Sequence, residues 1–265
     1  MKIKKKRIII LLCAAAAVTA WIAFCGYQWC WGPFSLLHDI KTNNHPGNAP
    51  VYGLENTERL PDSPLRGKTV VFLGASVTYG SASGGVSFAD YLAVRHDFHS
   101  IKEAVPGTTL VDTGASSYIS RLDRLETDKA DLFICQLSTN DATQNIPLGA
   151  VSESFEPAAF DTSTVAGAIE YILASARQRW DCPVVFYTNP RYDSEAYGDM
   201  VALLEEIAGK WDIYVIDFWN DAPFNDLSAE ERSLYMADAI HPTQAGYSLW
   251  WMPEMEEVML AAAEG

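Results

Sequence analysis

Four short apolar runs punctuate the chain, Thr69–Leu73, Leu132–Leu137, Val184–Thr188 and Ile213–Phe218, with helical patterns between them. Each run is rich in β-branched or aromatic residues and is bounded by polar or turn residues, as strands buried on both faces tend to be. A weaker run covers Ser100–Val105. Helical patterns occupy Phe88–Arg95, Tyr118–Leu125, Thr164–Trp180, Glu195–Lys210 and Thr243 to the C-terminus. Strands alternating with helices predict an α/β domain whose parallel sheet is covered on both faces. In such sheets ligands bind beyond the carboxyl ends of the strands. The residues directly after each run are therefore the first place to look for chemistry.

The N-terminus has a different character. Lys2 to Arg7 carry five positive charges and no acid, and an apolar stretch follows from Ile8 to about Trp31. About 20 apolar residues span a bilayer core as a helix, so residues 8–31 are expected to form a transmembrane signal anchor, with residues 1–7 as its cytoplasmic basic segment. A cleavable signal peptide has a shorter apolar region, about 7–15 residues. Val18-Thr19-Ala20 is compatible with cleavage, which would make the protein secreted. Either way the basic cluster stays inside and the rest of the chain lies outside the cytoplasm. Ile22-Ala23-Phe24-Cys25 fits a lipoprotein site poorly, because Phe24 stands where a small residue is expected. Residues 32–65, rich in Pro, Gly and Asn, read as a linker or a strap lying over the domain. Residues 66–265 have the length of one α/β domain.

Of the 19 Lys and Arg residues, five precede Ile8, leaving 14 against all 34 Asp and Glu in the exported part. So acidic a surface repels polyanions, which argues against nucleic acid and against avid binding to anionic headgroups. Membrane association is expected through the N-terminal helix alone, and no segment points to an obligatory protein partner. Cys13, Cys25 and Cys30 lie in or beside the apolar stretch. Cys135 and Cys182 fall in or next to core strands and are expected to be buried free thiols, not a disulfide scaffold or zinc ribbon.

Ser76 sits in Gly74-Ala75-Ser76-Val77-Thr78, directly after the first strong run. A strand ending in a small-residue turn that carries a serine is how α/β hydrolases expose a nucleophile. A serine hydroxyl needs a base to take its proton during attack. Asp238-Ala239-Ile240-His241-Pro242 offers one, with an acid three residues earlier that can orient the ring. Taken alone, Asp-x-x-His-Pro is equally well a capped turn before the last helix. Pro106-Gly107-Thr108-Thr109 and Ser138-Thr139-Asn140-Asp141 follow successive strands and supply backbone and amide donors for an oxyanion.

Four separated segments resemble the signature blocks of the SGNH (GDSL-type) hydrolase family: Gly74-Ala75-Ser76-Val77-Thr78, Gly107, Asn140-Asp141 and Asp238-x-x-His241. The resemblance implies Ser76 as nucleophile, His241 as base and Asp238 as its partner. It further implies an oxyanion hole formed by the Ser76 and Gly107 N–H groups and the Asn140 amide. The implied fold is a flavodoxin-like three-layer α/β/α sandwich with a five-stranded parallel sheet, here preceded by one transmembrane helix. Two positions depart from the family pattern. Ala75 replaces an Asp, which alters local hydrogen bonding, and Ser138 replaces a Gly, which is expected to narrow the space beside the acyl group.

The expectation is an extracytoplasmic serine esterase with no cofactor and no metal, acting on carboxylic esters such as O-acyl groups on glycans or wall polymers. Alternatives are a lipase, lysophospholipase or thioesterase on longer acyl chains, and a catalytically silent glycan- or protein-binding domain. Arg191 and Tyr192, in the loop after the Val184–Thr188 run, are candidate substrate contacts, although a surface salt bridge serves Arg191 equally well. Gly80-Ser81-Ala82-Ser83-Gly84-Gly85 lacks the Gly-Lys-Ser/Thr ending of a phosphate loop and reads as a loop beside the nucleophile. Trp29 and Trp31 adjoin the anchor, where tryptophan favours the membrane interface. Trp250 and Trp251 allow either interfacial or packing roles.

Overall fold

The computed structural model describes residues 2–29, 32–34 and 36–264. Cys30 and Trp31, and with them the end of the expected 8–31 span, lie outside the described residues.

Helix α1, Lys2–Trp29, is one uninterrupted helix, and its stretch Lys5–Tyr27 is long and apolar enough to cross a membrane. At 1.5 Å per residue those 23 residues rise about 35 Å, against a hydrocarbon core of about 30 Å. Ile8 to Leu12 and Val18 are exposed, so that part of its apolar surface is not covered by the described residues, whereas Cys25 and Gly26 near its end are buried.

The short helix α2, Leu36–Asn43, follows, and then residues 46–56 run over the domain in three 3-10 turns. Their path is stitched down by Asn48. Its amide donates to the carbonyls of Thr42 and Ala82, both at 2.7 Å, and its oxygen accepts the Gln244 N–H at 2.8 Å.

Five strands make the sheet: β1 Thr69–Gly74, β2 His99–Ala104, β3 Leu132–Gln136, β4 Val184–Tyr187 and β5 Tyr214–Ile216. Their spatial order is β2-β1-β3-β4-β5, and every neighbouring pair is parallel. The connecting helices are α3 Ser76–Tyr79 and α4 Phe88–His96, α5 Tyr118–Arg124, α6 Thr139–Thr143 and α7 Val165–Trp180, and α8 Glu195–Trp211. After β5 come α9 Ala222–Asn225, α10 Ala229–Tyr235, a π-type turn Gly246–Trp251 and α11 Met252–Glu264.

Alternate residues of a strand point to opposite faces, and the core divides accordingly. Val71, Leu73, Phe133, Cys135 and Phe186 pack with residues of α5, α7 and α8. Val70, Phe72, Ile134, Val185 and Tyr187 pack with α4 and α11 on the other face. This is the three-layer α/β/α sandwich expected from the sequence. Strands β1, β3 and β4 are buried almost throughout, and the outer β2 carries Lys102 and Glu103, which explains its weak signal.

Two boundaries differ from the sequence reading. The run Ile213–Phe218 yields only a three-residue strand, because Asp217 takes hydrogen bonds from Thr188 Oγ1 and the Asn220 N–H and turns the chain. The C-terminal helix does not begin cleanly at Thr243. The π-type turn intervenes, and it allows Tyr247, Trp250 and Trp251 all to face inward. Trp250 and Trp251 are thus packing residues. Cys135 is buried, whereas Cys182 is only half-buried at the mouth of β4; both are free thiols.

Trp251 is fully buried and its ring packs against Phe88, Tyr187, Phe218 and Tyr247. Removing a buried tryptophan to alanine costs about 3–5 kcal/mol. Trp251→Ala is therefore expected to lower the urea midpoint by that equivalent, measured on the soluble domain signal by circular dichroism.

Candidate active site

The chain leaves β1 towards β2 on one side and returns to β3 on the other, so the crevice beyond β1 and β3 is the switch point of the sheet. Ser76 stands there as the first residue of α3, after Ala75 with φ −113° and ψ −138°. The sharp turn leaves polar backbone groups at the end of a buried strand, and each must find a partner. The Gly74 carbonyl accepts from Val105 N–H at 3.2 Å and from the buried guanidinium of Arg121 at 2.8 Å. The Ala75 N–H donates to Gln136 Oε1 at 2.9 Å. Thr78 Oγ1 reaches the same Gln136 oxygen at 2.9 Å and the Tyr187 hydroxyl at 2.6 Å. Tyr247, brought inward by the π-type turn, donates to the Val77 carbonyl at 2.6 Å. Gly74 itself has to be glycine, since a Cβ there would lie 1.7 Å from Thr78 Oγ1.

The second part comes from the loop before the π-type turn. Met236 and Pro242 bridge across its base, and the Ala237 N–H donates to the His241 carbonyl at 3.0 Å. This closes a tight loop holding Asp238 and His241. Asn189, buried at the end of β4, donates its amide to the Ile240 carbonyl at 3.0 Å and so fastens the loop to the sheet. His241 Nε2 lies 2.8 Å from Ser76 Oγ, across 165 residues of sequence. His241 Nδ1 faces Asp238 at 2.9 and 3.0 Å. Burial pushes the Asp238 carboxyl up. The His241 ring and the N–H groups of Ile240 and His241 outweigh that effect and hold it down at about 2. Asp238 is thus ionised at neutral pH and keeps a negative charge beside the ring. Such a chain can take a proton from Oγ at Nε2 while the ring gains charge against the carboxylate.

The donor residues lie on the same rim. Gly107 is exposed in the loop after β2 at φ +79°, the left-handed region that favours glycine. Asn140 lies in the first turn of α6 after β3, and its amide donates to the Thr108 carbonyl at 2.9 Å, leaving a second N–H in the same plane. Ser138, in the loop between β3 and Asn140, is tied to backbone groups. Its hydroxyl is buried, donating to the Thr108 carbonyl at 3.2 Å and accepting the Asn140 N–H at 3.1 Å.

Arg121, Gln136, Asn189 and the carboxylate of Asp141 were not singled out by sequence, yet they support these positions. Gln136 had a signal, a polar side chain inside an apolar strand. Asp141 accepts the Leu110 and Val111 N–H groups at 2.8 and 3.3 Å and so ties the Gly107 loop to α6.

Arg191 and Tyr192 lie in the loop between β4 and α8. The Arg191 guanidinium lies over the Trp219 ring at 5.7 Å, in a cleft with Asn220 and Asp226 whose lining includes neither Ser76 nor His241. Tyr192 packs against Tyr197 and Trp219.

Burial pushes the Asp141 carboxyl up to about 6, against the pull of its N–H partners. Between the ordinary carboxylate range and that value, the folded chain holds a proton that the unfolded chain has released, so stability from this group grows as pH falls. The wild type is expected to gain stability relative to Asp141→Asn between pH 7 and pH 5, measured by urea unfolding at each pH.

The sequence model of the GDSL-like lipase/acylhydrolase family matches residues 72–249, while no curated protein matches the chain significantly. Among solved structures, a protein from Lactobacillus plantarum is similar over 74% of this chain and 98% of its own, with a TM-score of 0.63 at 19% identity. A member of the lipolytic protein G-D-S-L family from Veillonella parvula covers 72% and 97%, with a TM-score of 0.54 at 16% identity. Phospholipase A1 from Streptomyces albidoflavus covers 72% and 99%, with a TM-score of 0.52 at 16% identity. At these identities the structural likeness is one of fold. The family match is more specific, since it runs through the segments that carry Ser76, Gly107, Asn140 and His241. This chain belongs to the GDSL-like lipase/acylhydrolase family, a family of ester-hydrolysing enzymes.

Proposed function

We propose that the protein is an extracytoplasmic serine esterase, held to the membrane by α1, that cleaves O-acyl groups, acetyl foremost, from glycans or wall polymers. The observation that carries the reading is the relay Ser76 Oγ, His241 Nε2, His241 Nδ1 and Asp238, in which every link is a hydrogen bond of 2.8–3.0 Å.

In this reading His241 takes the Ser76 proton as Oγ attacks the ester carbonyl, and Asp238 stabilises the imidazolium. The carbonyl oxygen becomes an oxyanion, held by the N–H groups of Ser76 and Gly107 and by the Asn140 amide. The imidazolium passes its proton to the departing alkoxide, and the alcohol leaves. Water then attacks the acyl-enzyme with His241 as base, the acid is released and Ser76 is regenerated. No step draws on a metal or cofactor.

The location is supported by α1, which is apolar around its whole circumference and carries its cationic flank at the N-terminal end. Glycan substrates suit a strongly acidic domain held outside the cell, because an uncharged polyol meets no repulsion there. A second reading, hydrolysis of longer acyl chains, draws on the exposed Tyr79 and Val105 near Ser76.

Ser76→Ala is expected to abolish hydrolysis of p-nitrophenyl acetate and labelling by a fluorophosphonate probe while leaving the circular dichroism spectrum intact. Turnover that survives this change would remove the mechanism, and a wild type that the probe does not label would favour a silent binding domain. Asn140→Ala is expected to lower kcat by about 10²–10³, and Asp238→Asn by about 10⁴ through loss of the required tautomer. A series of p-nitrophenyl esters from acetyl to palmitoyl decides between the two substrate readings, with activity falling along the series for the first.

A further inference from the structure

Between the strap and the loops after β1 and β2 lies a cleft of about 730 Å³ that the reaction described above does not use. Tyr79, Gly85, Val105 and Pro106 line its domain side, and Asp39 and Asn43 of α2 line the other. Ligand sites commonly enclose about 300–1,000 Å³, so the space accommodates a small molecule or a few units of a polymer.

The cleft adjoins Ser76 through the chain itself. Tyr79 closes the four-residue helix that Ser76 opens, and side chains one helical turn apart are neighbours, about 5–6 Å between Cβ atoms. Pro106 immediately precedes Gly107, and Val105 is fixed to the Gly74 carbonyl at 3.2 Å. Its lining includes neither Ser76 nor His241; it meets the reacting centre through Tyr79 and Pro106, the neighbours of Ser76 and Gly107 along the chain.

The strap wall is built in. Gly47 passes so close to the end of α10 and to Thr243 that a Cβ there would lie 2.0 Å from the Leu234 carbonyl and 2.4 Å from Thr243 Oγ1. Asn48 bridges Thr42, Ala82 and Gln244, and the Gln244 amide donates to the Ser83 carbonyl at 3.1 Å. These contacts place α2 opposite Tyr79, and the strap residues that make them, Thr42, Gly47 and Asn48, lie before residue 72, outside the stretch matched by the family.

The lining selects the ligand. It holds a carboxylate and a carboxamide but no Lys or Arg. The neighbouring Lys102 ammonium is already bound to Asp90 and to the Tyr79 and Gly85 carbonyls, at 2.5, 3.4 and 3.0 Å. A phosphate or other anion therefore finds no partner there. A neutral molecule with hydroxyls and flat C–H faces does: hydroxyls bond to carboxylate and amide, and C–H faces rest on the exposed Tyr79 ring and on Pro106.

We propose that this cleft is a glycan subsite, holding the sugar whose hydroxyl carries the acyl group, with Asp39 and Asn43 as hydroxyl-binding residues and Tyr79 as the stacking surface. The proposal rests on the esterase reading and deepens it.

The test uses the full-length protein in detergent with two substrates, p-nitrophenyl acetate and an O-acetylated N-acetylglucosamine oligosaccharide. In Tyr79→Ala and in the double variant Asp39→Ala, Asn43→Ala, the ratio of kcat/KM for oligosaccharide over kcat/KM for p-nitrophenyl acetate is expected to fall at least tenfold, through KM. Tyr79→Phe keeps the ring and is expected to retain at least half the wild-type ratio. A ratio within twofold of wild type in both variants, or a wild type that does not hydrolyse the oligosaccharide, overturns the proposal. A changed preference along the p-nitrophenyl ester series overturns it as well, since the cleft would then hold the acyl chain. Failure of the esterase reading itself is read separately, as a wild type that neither turns over p-nitrophenyl acetate nor reacts with the fluorophosphonate probe.

Discussion

A buried strand that stops abruptly leaves unpaired carbonyl and N–H groups where water cannot reach them, and each orphan costs about 1–3 kcal/mol. The end of β1 is such a place. Arg121 takes the Gly74 carbonyl, Gln136 takes the Ala75 N–H, and Tyr247 takes the Val77 carbonyl. Those partners come from α5, from β3 and from the π-type turn, so three parts of the fold converge on one bend. The position of Ser76 is a by-product of satisfying that backbone. The same guanidinium also bonds the Glu103 and Ser116 carbonyls and Thr108 Oγ1, so the loop of Gly107 is referenced to the same point. Precision at the rim comes from the buried layer beneath it.

The imidazole arrives by a different route. His241 sits in a loop with no strand beneath it, and its position depends on the Asn189 amide and on the strap contacts at Thr243 and Gln244. The site thus has a rigid half, anchored in the sheet, and a half held by side-chain bonds between loops.

The legibility of the sequence follows this division. Alternating apolar runs disclose a parallel sheet because burial on both faces leaves no choice but Val, Ile, Leu and Phe at β1, β3 and β4. The edge strand β2 is faint because none of its residues is fully buried. β5 was overdrawn because Asp217, a single turn-forming acid, is invisible to a hydrophobic pattern. Ser76, His241 and Asp238 were readable as residues in a chain order and are brought within hydrogen-bonding distance in space. Gln136, Arg121 and Asn189 were not readable, since a polar side chain discloses nothing of its partners until the fold places them. Ser138 shows the same, since its type does not disclose that its hydroxyl finds the Thr108 carbonyl. The contacts of Arg191 and Tyr192 with the Trp219 ring are equally hidden from the sequence.

The stitch made by Asn48 bears on how this protein can be cut and moved between chains. Gln244 N–H, Ala82 O and Thr42 O all meet on that one side chain. A fragment trimmed to the family-matched stretch would strip both loops of their shared clasp and open one flank of the cleft to solvent. A grafted domain must therefore carry the chain from α2 onward, and the strap and the α/β layers are inherited as one piece.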